Sequence, residues 1–437
     1  MNKHLLAFIA LASTSLSQLA AQDLKNENCN PEKNGYELLF KDEFNNSSVP
    51  NANDWLLRVN QKMGGASVKE NVIQTKSSDG EGCLMVKFTY DSTKPKETQF
   101  MGGGVVSTHN FGYGYYEARV KLYGGKKELS GLHQSFWTMG LTGTNEGEGK
   151  GVRDKLVEAD LLPKKNQVLE IDGFEQNSKD NVLSQNHHIY TPTHLSEAPK
   201  EKFVKQDLSQ WIVMGYEWLP DKINFYCNGK LISTKDLTGK WKVYAPQNFW
   251  LTALPVSFKG WGGLSIPAEG VGMLVDYFHY YAKKLVATNL IGNDGFEYGG
   301  EKNTYPMAWI TGMTNGSNPD AIKVVTDSVG AKEGNRYLEI KYNQPFKATA
   351  KQIIEFIPNG KYNLSAWIKS SGGQKMATLS CTSGTNTQLV NIETTDAWKK
   401  IEIKGIHVTD NKATVVLSCI GNSNNWLQID KVEFSLK

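Results

Sequence analysis

Polar and apolar residues alternate with a period of two along much of this chain. The clearest run, YYEARVKLY (115–123), sets Tyr116, Ala118, Val120 and Leu122 against Tyr115, Glu117, Arg119 and Lys121. That is the pattern of a half-buried strand. Shorter runs rich in β-branched and aromatic residues recur between Gly, Asn and Asp clusters: CLMVKFTY (83–90), HHIYT (187–191) and MLVDYFHYY (273–281). INFYCNGKLI (223–232) predicts a hairpin turning at Asn228-Gly229. Few segments carry a helical period. Many short strands without intervening helices predict an all-β chain built as a β-sandwich or jelly roll.

A boundary is expected near 283–289, where MLVDYFHYY ends, Lys283-Lys284 follows and NLIGNDGFEYG (289–299) opens a new unit. Beyond it YLEIKY (337–342), YNLSAWIKS (362–370), KKIEIKGI (399–406), ATVVLSCI (413–420) and LQIDKVEFSL (427–436) predict a second β-sandwich. The expected units are therefore 1–21, 22–284 and 289–437, the last two each with a core of its own. The first is read as a secretory signal: a short basic start, the apolar run Leu5–Leu11 and small residues before Gln22. It is too short to span a bilayer, and the protein is expected to be exported as a monomer. The charged, Gly-rich stretch 143–167 is long for a strand connection and is expected to border the functional site.

Charge narrows the function. The formal net charge is +3, with acids and bases interspersed, so nucleic-acid binding has no electrostatic support. Five cysteines (Cys29, Cys83, Cys227, Cys381, Cys419) show no metal-ligand spacing, and a zinc site is not expected. Cys381 and Cys419 share a unit and are candidates to pair.

The run VLEIDGFEQ (168–176) places three carboxylates in a strand that otherwise looks buried. Glu170 and Asp172 share a face. Glu175 is five residues from Glu170, an odd offset, and faces away on a regular strand. One extra residue at Gly173-Phe174 restores parity, and Gly suits a β-bulge, with a positive φ at Gly173 as one expectation and a bulge at Phe174 as the other. All three acids then line one face, with Leu169, Ile171 and Phe174 on the other. Like charges crowded on one face are destabilising unless a site needs them. Two carboxylates flanking a glycosidic bond at about 5.5 Å are the machinery of a retaining glycosidase.

Here the chain resembles glycoside hydrolase family 16, the laminarinase-like jelly rolls, whose bulged ExDxxE motif Glu170, Asp172 and Glu175 match. ELLFKDEFN (37–45), FGYGYYEARVKL (111–122), GLHQSFWTMG (131–140), WIVMGYEWLPDKINFYCNGKLI (211–232) and MLVDYFHYY resemble further family stretches, in order, over about 36–282. The resemblance implies a concanavalin-like jelly roll with Glu170 as nucleophile, Asp172 as assisting acid and Glu175 as general acid/base. It implies Trp137 as the wall of a sugar subsite, His188 near the acid/base, and His133, Trp261 and Asn71 as further substrate contacts. Arg58, Trp218 and Trp250 are weaker candidates. No cofactor is required for the chemistry it implies. The C-terminal unit resembles the family 4/9-like carbohydrate-binding modules, which implies Glu297 and Asp430 beside a structural calcium, and Trp309, Trp367, Trp398 and Trp426 as sugar platforms or core.

The sequence departs from the family at His133, which replaces a usual Trp, at 143–167 and at LTALPVSFKGWGG (251–263). These positions bear on which sugar is bound. The expected partner is a polysaccharide or oligosaccharide, laminarin-type β-1,3-glucan first. The alternatives are an agar-, porphyran- or carrageenan-type galactan, a mucin-type glycan, or glycan binding without catalysis.

Overall fold

The computed structural model describes residues 30–45, 48–62, 65–140, 154–190, 194–197, 203–256, 263–299 and 304–437. The leader reading at 1–21, Cys29 and Trp261 lie outside these residues. Among the described residues no helix is long and apolar enough to cross a membrane.

The alternating runs become strands of two stacked sheets. One sheet runs in the order Lys230–Asp236, Lys222–Cys227, Ile212–Trp218, Gly114–Lys121, Gly272–Lys283, Gly82–Lys87, Val72–Lys76, and Tyr36–Asp42 also pairs with Gly272–Lys283. The opening and closing stretches of the first unit are thus neighbours. The other sheet centres on Val182–Ile189, Leu169–Asn177, Leu132–Met139, Asn248–Pro255 and Phe100–Ser107. Tyr116, Ala118, Val120, Phe136, Ile171, Phe174 and Tyr216 fill the space between them. The opposite face of the 114–121 strand carries Glu117 and Arg119, and its Tyr115 is buried with Tyr36 and Tyr226 in a separate cluster. The hairpin turn falls at Asn228 and Gly229, with φ of 50° and 74°, the left-handed pair that a tight two-residue hairpin requires.

The second sandwich has two five-stranded sheets among the described residues. The strands Phe346–Glu355, Met376–Ser383 and Asn386–Asn391 join those read from the sequence. Cys381 and Cys419 do not pair. Both are free and buried, and the register sets Cys419 opposite Ala377 and Cys381 opposite Val415. That separates them by four residues along the ladder, about 13 Å, beyond the reach of a disulfide.

The two sandwiches share a packed seam. Phe356, from the second, stacks on Phe111 of the first at 4.9 Å and also meets Phe40 and Tyr280. His109 contacts Asp54 at 3.0 Å in its own unit and Glu355 across the seam at 3.5 Å.

Candidate active site

The site is built on the strand Leu169–Asn177. Against Leu132–Met139, Phe174 faces Phe136 and Asp172 faces Trp137, so Gly173 is the extra residue. On the other side Asp172 faces Asn186 and Glu175 faces Ser184, again with one residue too many. The bulge therefore sits where parity demands it. Leu169, Ile171 and Phe174 are core, while Glu170, Asp172 and Glu175 together line a cleft of about 310 Å³. Gly173 does not have a positive φ. It is needed for space: a Cβ there would lie 3.0 Å from Tyr216 and 3.1 Å from Phe136, two rings locked in the core.

Trp137 lines the cleft, donates its indole N–H to Thr252 Oγ1 at 3.1 Å and stacks on Trp250 at 4.7 Å. Arg58 also lines the cleft and covers both rings, its guanidinium carbon 5.9 Å and 5.4 Å from their centres. Trp218 is core, packed on Tyr113 and Tyr244. Asn71 is not among the residues lining the cleft. It is buried, and its amide donates to Thr89 Oγ1 at 3.0 Å and Gly102 O at 3.3 Å, joining two strand segments.

The two histidines divide the acids differently from the expectation. His133 Nε2 lies 3.2 Å from Glu175 Oε1, whereas His188 Nε2 lies 3.4 Å from Asp172 Oδ2. Tyr190 was not singled out from the sequence. It stands two residues beyond His188 and its hydroxyl donates to Glu170 Oε2. The signal was present in HHIY, since a period of two puts Tyr190 on the same side as His188. The ring lies nearly parallel to those of His188 and His194, with centroids 6.1 Å and 5.0 Å away.

Burial pushes the Asp172 carboxyl well above its ordinary range, and the neighbouring charges of Glu170 and Glu175 push the same way. Asp172 thus holds its proton more readily than an ordinary carboxyl, and in the protonated form it can donate to Glu170. Burial also raises Glu170, although Tyr190, His188 and Asp172 oppose it. At Glu175 burial is outweighed by His133 and His188, which hold the carboxyl below its ordinary range. The general-acid role expected for Glu175 needs a proton on its carboxyl, and the His133 contact works against that by favouring the carboxylate. His133→Phe removes the partner that favours the carboxylate. Glu175 then stays protonated to higher pH, and the basic limb of kcat/KM moves up. A limb that stays in place or moves down in the pH profile contradicts this role.

Glu297 and Asp430, the expected calcium pair, each accept backbone amides of the 332–336 turn. Glu297 Oε1 accepts the amides of Asn335 and Arg336, both at 2.9 Å. Asp430 Oδ2 accepts those of Lys332 and Glu333 at 2.9 Å and 3.1 Å, and its Oδ1 that of Lys431 at 2.7 Å. Amide hydrogens thus engage Glu297 Oε1 and both oxygens of Asp430. Both carboxylates pin the 332–336 turn. Trp309 is core, whereas Trp367, Trp398 and Trp426 remain partly exposed.

Residues 66–278 match the family model for Glycosyl hydrolases family 16. No curated protein matches the chain. A Bacteroides ovatus GH16 from a mixed-linkage glucan locus, solved with a G4G4G3G product, is 17% identical over 55% of this chain and 99% of its own, with a TM-score of 0.42. LamA from Z. galactanivorans, solved with laminaritriose and laminaritetraose, is 18% identical over 56% of this chain and 98% of its own, at a TM-score of 0.41. A family 61 carbohydrate-binding module solved with β-1,4-galactotriose is 26% identical over 35% of this chain and 100% of its own, at a TM-score of 0.30.

Proposed function

We propose that the protein is an exported, retaining endo-glycanase that hydrolyses internal β-linkages of a polysaccharide, with a laminarin-type β-1,3-glucan as the first substrate to test. The observation that carries this reading is the bulge at Gly173, which brings three carboxyl groups, Asp172 buried and Glu170 and Glu175 half-buried, onto one wall of an aromatic cleft. A binding protein has no use for the cost of crowding them. Export rests on the signal-like pattern of residues 1–21.

In this mechanism Glu170 attacks the anomeric carbon while Glu175, beside His133, protonates the departing oxygen. Asp172, neutral and adjacent, donates to the Glu170 carboxylate and stabilises its charge until the bond forms. Water then enters, Glu175 takes its proton, and the glycosyl–Glu170 ester breaks with overall retention. A polar groove lined by Glu175, Lys179, Asp180 and Ser184 runs from the acid/base and would take the leaving chain. Tryptophan faces suit the apolar C–H faces of sugar rings.

The test is a screen of laminarin, mixed-linkage glucan, agarose, porphyran, carrageenan and mucin glycans, reading product size and anomeric configuration. Mixed oligosaccharides of retained configuration are expected. With the substrate in hand, Glu175→Ala slows cleavage of alkyl or sugar leaving groups by ~10²–10⁴-fold and of activated aryl glycosides far less. Azide restores turnover and yields a β-glycosyl azide, whereas an α-azide contradicts the assignment.

A further inference from the structure

The segment 154–167, between the strands Leu132–Met139 and Leu169–Asn177, walls the Glu170 end of the cleft. Leu156, Val157 and Leu162 pack with Trp137, Met139, Trp250 and Tyr190. In the ladder Met139 faces Glu170, and Tyr190 N bonds Val168 O where the segment joins the catalytic strand. The segment thus shares one apolar cluster with the cleft tryptophan, and the tyrosine that donates to Glu170 packs against that same cluster.

Its outer side is held by the second sandwich. Asp160, 4% exposed and at a φ of 59°, accepts Met313 N at 2.7 Å, Thr314 N at 3.2 Å and Thr314 Oγ1 at 2.5 Å. Lys164 N donates to Tyr305 Oη and Ala308 N to Lys165 O, both at 2.9 Å. A buried carboxylate that accepts three hydrogen bonds ties the segment to the exposed turn at Met313 and Thr314, because losing it takes the acceptor from all three donors at once. The segment itself contains only a short helical turn at 154–158, too short to hold its shape alone.

We propose that the C-terminal sandwich is a working part of the cleft: through Asp160 its 305–314 edge sets the wall that places Trp137 and Tyr190 against Glu170. Asp160 is a positioning residue, acting through Tyr190 on the nucleophile. This rests on the glycosidase reading above and deepens it, because a detachable targeting module would leave turnover of soluble substrate unaffected.

The experiment uses the full chain and the soluble oligosaccharides that it cleaves in the screen, laminarihexaose first. Asp160→Ala should lower kcat about tenfold with KM changed less than twofold, and speed amide exchange in peptides covering 154–167 and Tyr190. Thr314→Val, which removes one of the three donors and folds safely, should do the same more weakly, and Asp160→Asn should fall between wild type and Asp160→Ala. Glu355→Gln loosens the seam elsewhere and should leave kcat unchanged. Unchanged kcat and exchange in Asp160→Ala, or equal losses in Glu355→Gln, overturn the proposal. If Glu170→Gln retains turnover, the glycosidase reading fails, while the exchange data still decide whether Asp160 orders the wall.

Discussion

Glu170→Gln abolishes turnover, lowering kcat by at least ~10³-fold on every polysaccharide the wild type cleaves, while oligosaccharide binding persists. An amide keeps the shape and can still accept from Tyr190, but it cannot form the glycosyl ester. The same change should make the fold more stable at neutral pH. Burial raises the Glu170 pKa above its ordinary 4.5, so ionising it in the folded state costs more than in the unfolded chain. The folded protein binds the extra proton between those two values, and stability falls as pH rises through that window. Gln removes this cost. The gain in melting temperature is therefore absent well below pH 4.5, grows above it, and is largest at neutral pH. Turnover above a tenth of wild type, or a lower melting temperature at pH 7, overturns the assignment.

Gly173→Val lowers kcat/KM by about 100-fold although it touches no reacting atom. A Cβ at this position already lies 3.0–3.2 Å from Tyr216 and Phe136, and those two rings are themselves in contact at 5.5 Å. Neither can retreat, since both are fully buried. The branched side chain pushes the strand outward instead, and a shift of about 1 Å at Glu175 is enough for that loss. Overpacking costs about 1–3 kcal/mol, so the protein still folds. Gly173→Ala, which needs the rings to give by a few tenths of an ångström, loses measurably less of both. A valine variant within threefold of wild-type kcat/KM, measured beside its thermal melt, means that the bulge does not set the catalytic geometry.

These two sites differ in how far they could be read in advance. The parity of Glu170, Asp172 and Glu175 required an extra residue, and Gly-Phe was the only place for it, so the bulge was legible. Its chemistry was not. A left-handed glycine was one natural reading, but the actual constraint is two aromatic rings contributed by strands 37 and 43 residues away in sequence. The same holds for the histidines. HH beside an aromatic marked a site strand, yet only the pairing of Leu132–Met139 with Leu169–Asn177 shows that His133, not His188, is the close partner of Glu175.

The alternating pattern by itself determined the all-β class, the core face of each strand, the hairpin at Asn228-Gly229 and the three acids on one face. Each of these depends on a period of two and on local backbone preferences, which a sequence carries directly. Only the tertiary structure decided what crosses between strands and between sandwiches. It separated Cys381 from Cys419 by four rungs, gave Asn71 to a strand joint, and set Glu297 and Asp430 against backbone amides of the 332–336 turn. It also tied Asp160 to Thr314, joining residues that lie 154 positions apart. Contacts of that range depend on where the chain returns in space, and nothing in the local alternation records it.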